Sequence, residues 1–265
     1  MRFQLRARLL FLAFAWAAGD EVARAAESAT TSDGFTFHAP PGERSAAVAA
    51  IAAGVGQERK RIAVFFGHPF PRAFAVRVFA TRSELDAHWR AAWKMPDLAT
   101  ECWMVASGTA SELVMLSPDA WAKEACEHDA ADPAHLAGLL AHELTHVYHA
   151  QHNPKPDFDG LDAIAWFAEG LAVYASGQLE EGHQATAEEA LARGLAPTAL
   201  AAAWTGRYRY GVSGSLVRFV DRRVGRRELF AMLSATTDAE LLARLGLSEA
   251  ELLAAWRAAT GPTTK

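Results

Sequence analysis

Leu139-Leu140-Ala141-His142-Glu143-Leu144-Thr145-His146-Val147-Tyr148 decides how this chain is read. Residues four apart on an α-helix lie one above the other on the same face, so His142 and His146 can offer two imidazole nitrogens to one metal ion. Glu143 stands one residue on, able to reach a metal-held water without being a ligand. Two helical histidines with an adjacent carboxylate form the constellation a zinc hydrolase needs. The flanking sequence supports the helix. Leu136, Leu140, Leu144 and Val147 follow the rhythm of a buried face. Asp132-Pro133 supplies an N-cap acid followed by proline at the first helical position.

A catalytic zinc takes three protein ligands and keeps a fourth position open. His152 stands ten residues after His142, the metzincin spacing. His149, however, fills the position where that family has glycine, and no Met-turn is evident. The other candidate is Glu169, in Trp166-Phe167-Ala168-Glu169-Gly170-Leu171-Ala172-Val173-Tyr174, a second helical pattern running from near Gly160-Leu161 to near Gly177. A carboxylate inside so apolar a stretch is costly unless paired or metal-bound. Glu169 as third ligand accounts for that placement. His152 reads more simply as a polar residue at the helix end, beside Asn153-Pro154.

His142-Glu143-Leu144-Thr145-His146 followed by Trp166-Phe167-Ala168-Glu169-Gly170-Leu171-Ala172 resembles the gluzincin zinc metallopeptidases, most closely the bacterial peptidase MA-like domain. Tyr210-Gly211-Val212-Ser213-Gly214-Ser215-Leu216-Val217-Arg218-Phe219-Val220 is similar to the Tyr-containing helix that follows there, and the segment 247–256 to its C-terminal helix. The resemblance covers most of the chain after residue 33. It implies zinc as cofactor and a zincin-like fold, with a substrate-lining edge strand at 112–117. Val173 occupies the position where thermolysin-like members carry an acid, so the partner that orients a ligand histidine must come from elsewhere.

The 265 residues, 51% apolar, suffice for one large domain. Arg2, Arg6 and Arg8, then Leu9 through Ala18, then Ala23-Arg24-Ala25 read as a secretory signal peptide over 1–25. The apolar run is short for a membrane span, although Asp20 and Glu21 make the cleavage region irregular and leave an uncleaved anchor as the alternative. Without residues 1–25, which carry four arginines and two acids, the net charge of −5 becomes −7. An acidic chain without a basic cluster argues against nucleic acid. Cys102 and Cys126, in an exported protein, suggest one disulfide; two free buried thiols are the alternative.

Residues 26–32 read as a flexible mature N-terminus, and 33–265 as a single domain: sheet and active-site helix over 33–155, a mainly helical half over 156–265. Strands are expected at Phe35–Phe37, Phe74–Phe79 and Leu113–Leu116. Helices are expected over 46–66 and from a Thr81/Glu84 capping box to about Trp93. Short helices over 185–193, 200–204, 213–224, 228–233, 238–245 and 248–259 complete the chain. The fold class is therefore α+β, with a small mixed sheet packed on the active-site helix.

In such a site Glu143 would act as general base, and the oxyanion would need a donor besides the metal. Tyr210 is the candidate, Tyr208 the reserve. His149 reads as a cleft-wall or packed residue, and His128, His135 and His183 as surface residues. Three functions fit: a peptidase acting on peptides or proteins, a zinc-retaining binding module, or a hydrolase of non-peptide amides. An intact Glu143 favours the catalytic ones.

Overall fold

The structure, a computed structural model, describes residues 28–32, 34–40 and 46–261. The signal-peptide reading of 1–25 and the first two residues of the expected flexible segment lie outside them. The architecture is α+β. A five-stranded sheet has the order β1-β2-β3-β5-β4, from β1 (Ser28–Ser32), β2 (Phe35–Ala39), β3 (Phe74–Phe79), β4 (Ala106–Gly108) and β5 (Glu112–Leu116). The three inner strands are parallel, and both edges are antiparallel to their neighbours.

Two elements depart from expectation. Residues 28–32 form a strand, with Thr30 opposite Phe37, where a flexible segment was expected. The run Ser28-Ala29-Thr30-Thr31-Ser32 carries no hydrophobic alternation to announce it. The second is the sheet's far edge. β5 is interior, between β3 and β4, and the short β4 takes the edge position that the resemblance implied for 112–117.

Helix α1 (Ala46–Phe66) links β2 to β3, and α2 (Arg82–Ala92), with its Thr81/Glu84 capping box in place, follows β3. A short α3 (Pro118–Glu124), not anticipated, follows β5. Cys102 and Cys126 are joined in a disulfide. The central helix is α4 (Pro133–His152), whose first turn is capped as expected: the Asp132 carboxylate accepts from Ala134 N at 2.9 Å. It packs on α1, β4 and β5. Tyr148 ties it to α1, stacking on Phe66 and donating to His68 O.

The helical half comprises α5 (Ala165–Ala175), α6 (Gln184–Ala192), α7 (Arg209–Val224), α8 (Arg226–Ala231), α9 (Asp238–Leu245) and α10 (Glu249–Thr260). Among the described residues no helix is long and apolar enough to cross a membrane. The helices α5 and α7 pack closely because Gly170 presents no side chain: a Cβ there would overlap the Ser213 carbonyl, a backbone atom with little room to yield. Gly170→Ala is therefore expected to cost roughly 1–3 kcal/mol, lowering the melting midpoint by about 2–4 °C per kcal/mol. Thermal unfolding followed by circular dichroism checks this; an unchanged midpoint would contradict the close approach.

Candidate metal centre

Helix α4 forms the floor of a cleft of about 580 Å³, with β4 on one side and α5 and the start of α7 on the other. His142 and His146, each 8% exposed, face the cleft from the middle of α4. Glu169 enters from α5. The three donor atoms converge: His142 Nε2 and His146 Nε2 are 3.2 Å apart, and Glu169 Oε2 is 3.4 Å from the first and 3.5 Å from the second. A tetrahedral ion with bonds of ~2.0–2.1 Å has ligand–ligand edges of about 3.4 Å. The triangle thus has the size of one face of such a tetrahedron. His142, His146 and Glu169 are the one such set among the described residues.

Hydrogen bonds and charge hold the three side chains in this arrangement. His142 Nδ1 lies 2.9 Å from Gln178 Oε1, an acceptor, so Nδ1 donates there and the ring is turned with Nε2 toward His146 and Glu169. Gln178 is the orienting partner that the sequence did not reveal. It follows Gly177 at the end of α5, where Arg61 donates to Ser176 O at 2.7 Å and fixes the helix terminus. Burial would raise the Glu169 pKa, but the two imidazoles beside it win and hold the carboxyl well below its ordinary range. Burial would lower that of His142; the Glu169 and Glu143 carboxylates outweigh it and raise the value.

Glu143, 7% exposed, lines the cleft outside the ligand set. Burial pushes its pKa up, partly opposed by His142 and His146 and by a hydrogen bond from the Gly108 main chain. That bond places β4 directly beside the carboxylate. Gly108 is required there, because a Cβ would overlap the Glu143 carbonyl oxygen.

Tyr210 lines the same cleft, its ring 6.5 Å from that of His142. Burial raises its pKa, so the phenol keeps its proton at neutral pH and can donate. Tyr208 points elsewhere, donating to Glu189 Oε1 at 2.8 Å, and is not in the cleft lining. His152 is likewise apart, its Nδ1 on the Tyr148 carbonyl and its ring against Phe230. His149 is fully buried against Phe158 and Phe167, and burial pushes it down to about 3, so it is neutral packing. His128, His135 and His183, expected on the surface, all line the cleft. The Cys102–Cys126 disulfide brings His128 onto Trp103 O, and His183 stacks on Tyr210; neither arrangement leaves a spacing signal in the sequence.

The lining includes Glu127, Glu143, Asp157, Asp162 and Glu169 and no lysine or arginine, which disfavours polyanionic ligands. Compared with known proteins, the chain matches no family model and no curated protein.

Removing either His142 or Glu169 (His142→Ala, Glu169→Gln) should abolish tight binding of a divalent metal, whereas His152→Ala should leave it intact. Gln178→Ala, which frees the His142 ring, should weaken affinity by roughly 10–100-fold. Chelator-competition titration reads all four. Loss of metal in His152→Ala with retention in Glu169→Gln would reverse the assignment.

Proposed function

We propose that this chain is a zinc-dependent metallopeptidase of the gluzincin type, with a zincin-like arrangement of sheet and active-site helix. The observation that carries this reading is the convergence of His142, His146 and Glu169 at 3.2–3.5 Å in a cleft that also holds a buried, unligated Glu143. Two nitrogens and one carboxylate oxygen are a donor set that suits zinc.

His142, His146 and Glu169 would hold zinc, which when bound would supply a Lewis acid and make water acidic enough to lose its proton near neutral pH. Glu143 accepts a proton from the attacking water and returns it to the leaving nitrogen. Gly108 N–H holds the carboxylate beside β4, and burial keeps its basicity above that of an exposed glutamate. Tyr210 donates its phenolic hydrogen to the oxyanion. The outer edge of β4 offers main-chain groups to an extended peptide, which would lie across Glu143 as an added strand. The Cys102–Cys126 disulfide suits an oxidising compartment, in keeping with export directed by residues 1–25.

Glu143→Gln tests the reading. An amide cannot take up the water's proton, so peptide turnover should fall by ~10² or more while the metal content stays level. Tyr210→Phe should retain metal and lose at most ~10²–10³, the worth of one oxyanion donor. Peptide-library cleavage with metal analysis on the same samples reads both. Full metal with no cleavage of any peptide by the wild type, or a Glu143→Gln variant as active as wild type, would move the protein to the binding-module class.

A further inference from the structure

The cleft runs along α4 from His135 past Leu139 and His142 to His146. At 1.5 Å per residue, His135 lies about 10 Å from His142. On that side the two walls are joined. Arg209, the first residue of α7, places its guanidinium carbon 5.0 Å from the Trp103 ring, 5.4 Å from Trp204 and 5.1 Å from Tyr210. All three rings line the cleft. Trp103 leads into β4 on one wall, and Trp204 and Tyr210 belong to the helical half opposite. One cation shared by rings of both walls holds them together.

Neither abutment is loose. Trp103 follows Cys102, which is bonded to Cys126. Arg82 donates to Cys102 O and Glu124 O, each at 3.0 Å, and to Met104 O. Trp103 O accepts from His128 Nε2 at 2.9 Å. On the other wall, Tyr210 packs edge-on to Trp204 and stacks on His183. His128 and His135, which line the cleft on this side, are hydrogen-bonded at 2.9 Å and backed by Trp121.

We infer that the Arg209 bridge closes the His135 side of the cleft, so that the site admits a free peptide end there and trims chains rather than cutting within them. This rests on the peptidase reading and specifies its substrate class. An extended chain advances ~3.3 Å per residue, so a recess of this length takes about three residues. Arg209 is a positioning residue that also hydrogen-bonds the Tyr210 phenol, so its role in closing the cleft is read from the ratio of two substrates and not from the rate on one.

The test uses the metal-loaded full chain, with a linear peptide and the same sequence cyclised head to tail, and mass spectrometry to locate each cut. The wild type is expected to cut the linear peptide within about three residues of one end and to leave the cyclic one intact. In Arg209→Ala, and separately in the Cys102→Ser/Cys126→Ser double variant, the ratio of cyclic to linear cleavage should rise by roughly tenfold or more, with metal content unchanged. Arg209→Met, which keeps the aliphatic packing without the charge, gives the same readout if the alanine variant does not fold. Cleavage of the cyclic peptide by wild type at the linear rate, or folded variants whose ratio does not move, would overturn the inference. A metal-loaded wild type that cuts no linear peptide fails the peptidase reading itself, a distinct result.

Discussion

Three electron-pair donors aimed at one point are the constraint on which the rest of the structure depends. His142 Nε2, His146 Nε2 and Glu169 Oε2 stand within 3.2–3.5 Å of one another, the histidines buried and the carboxylate partly exposed to the cleft. The two imidazoles and the carboxylate are within ion-pair and hydrogen-bond distance of one another, and the same three atoms lie close enough to be ligands of one cation. The residues around the triad serve that geometry. Gln178 takes the His142 Nδ1 proton in a hydrogen bond, Arg61 fixes the end of the helix that carries Glu169, and Gly170 lets that helix settle against α7.

The same economy of space explains the placement of Glu143. It is close enough to the triad to feel both imidazoles, yet it accepts from the Gly108 main chain and stands outside the set of three. Had residue 108 a side chain, β4 could not approach α4, and the cleft wall would move away from the carboxylate. The shape of the cleft therefore depends on two glycines as much as on charged groups, since each sets how closely a backbone meets its neighbour.

Much of this arrangement is legible in the amino-acid sequence. The four-residue histidine spacing, the Asp132-Pro133 start and the Thr81/Glu84 box are local signals, and each element forms where its signal stands. Glu169 stands out because a lone carboxylate in an apolar helix demands a partner. The disulfide follows from two cysteines in a chain that opens on an export-like segment. The features that escape sequence reading are those that tertiary contact decides. β4 is three residues long and contains a glycine, so it has no periodicity to detect. β1 is an edge strand without hydrophobic alternation, recognisable only through its ladder with β2. Gln178 is one polar residue among many after a helix. His128, His135 and His183 look like surface residues until the disulfide and the α6–α7 packing bring them to the cleft.

That His142, His146 and Glu169 hold one zinc ion is tested most directly by X-ray absorption at the zinc edge on the purified protein. The expected result is a single zinc per chain in a four-coordinate shell of nitrogen and oxygen at ~2.0–2.1 Å, with the multiple scattering of two imidazoles and no sulfur. A zinc-free protein, a sulfur shell at ~2.3 Å, or a shell of oxygens without imidazole would contradict it.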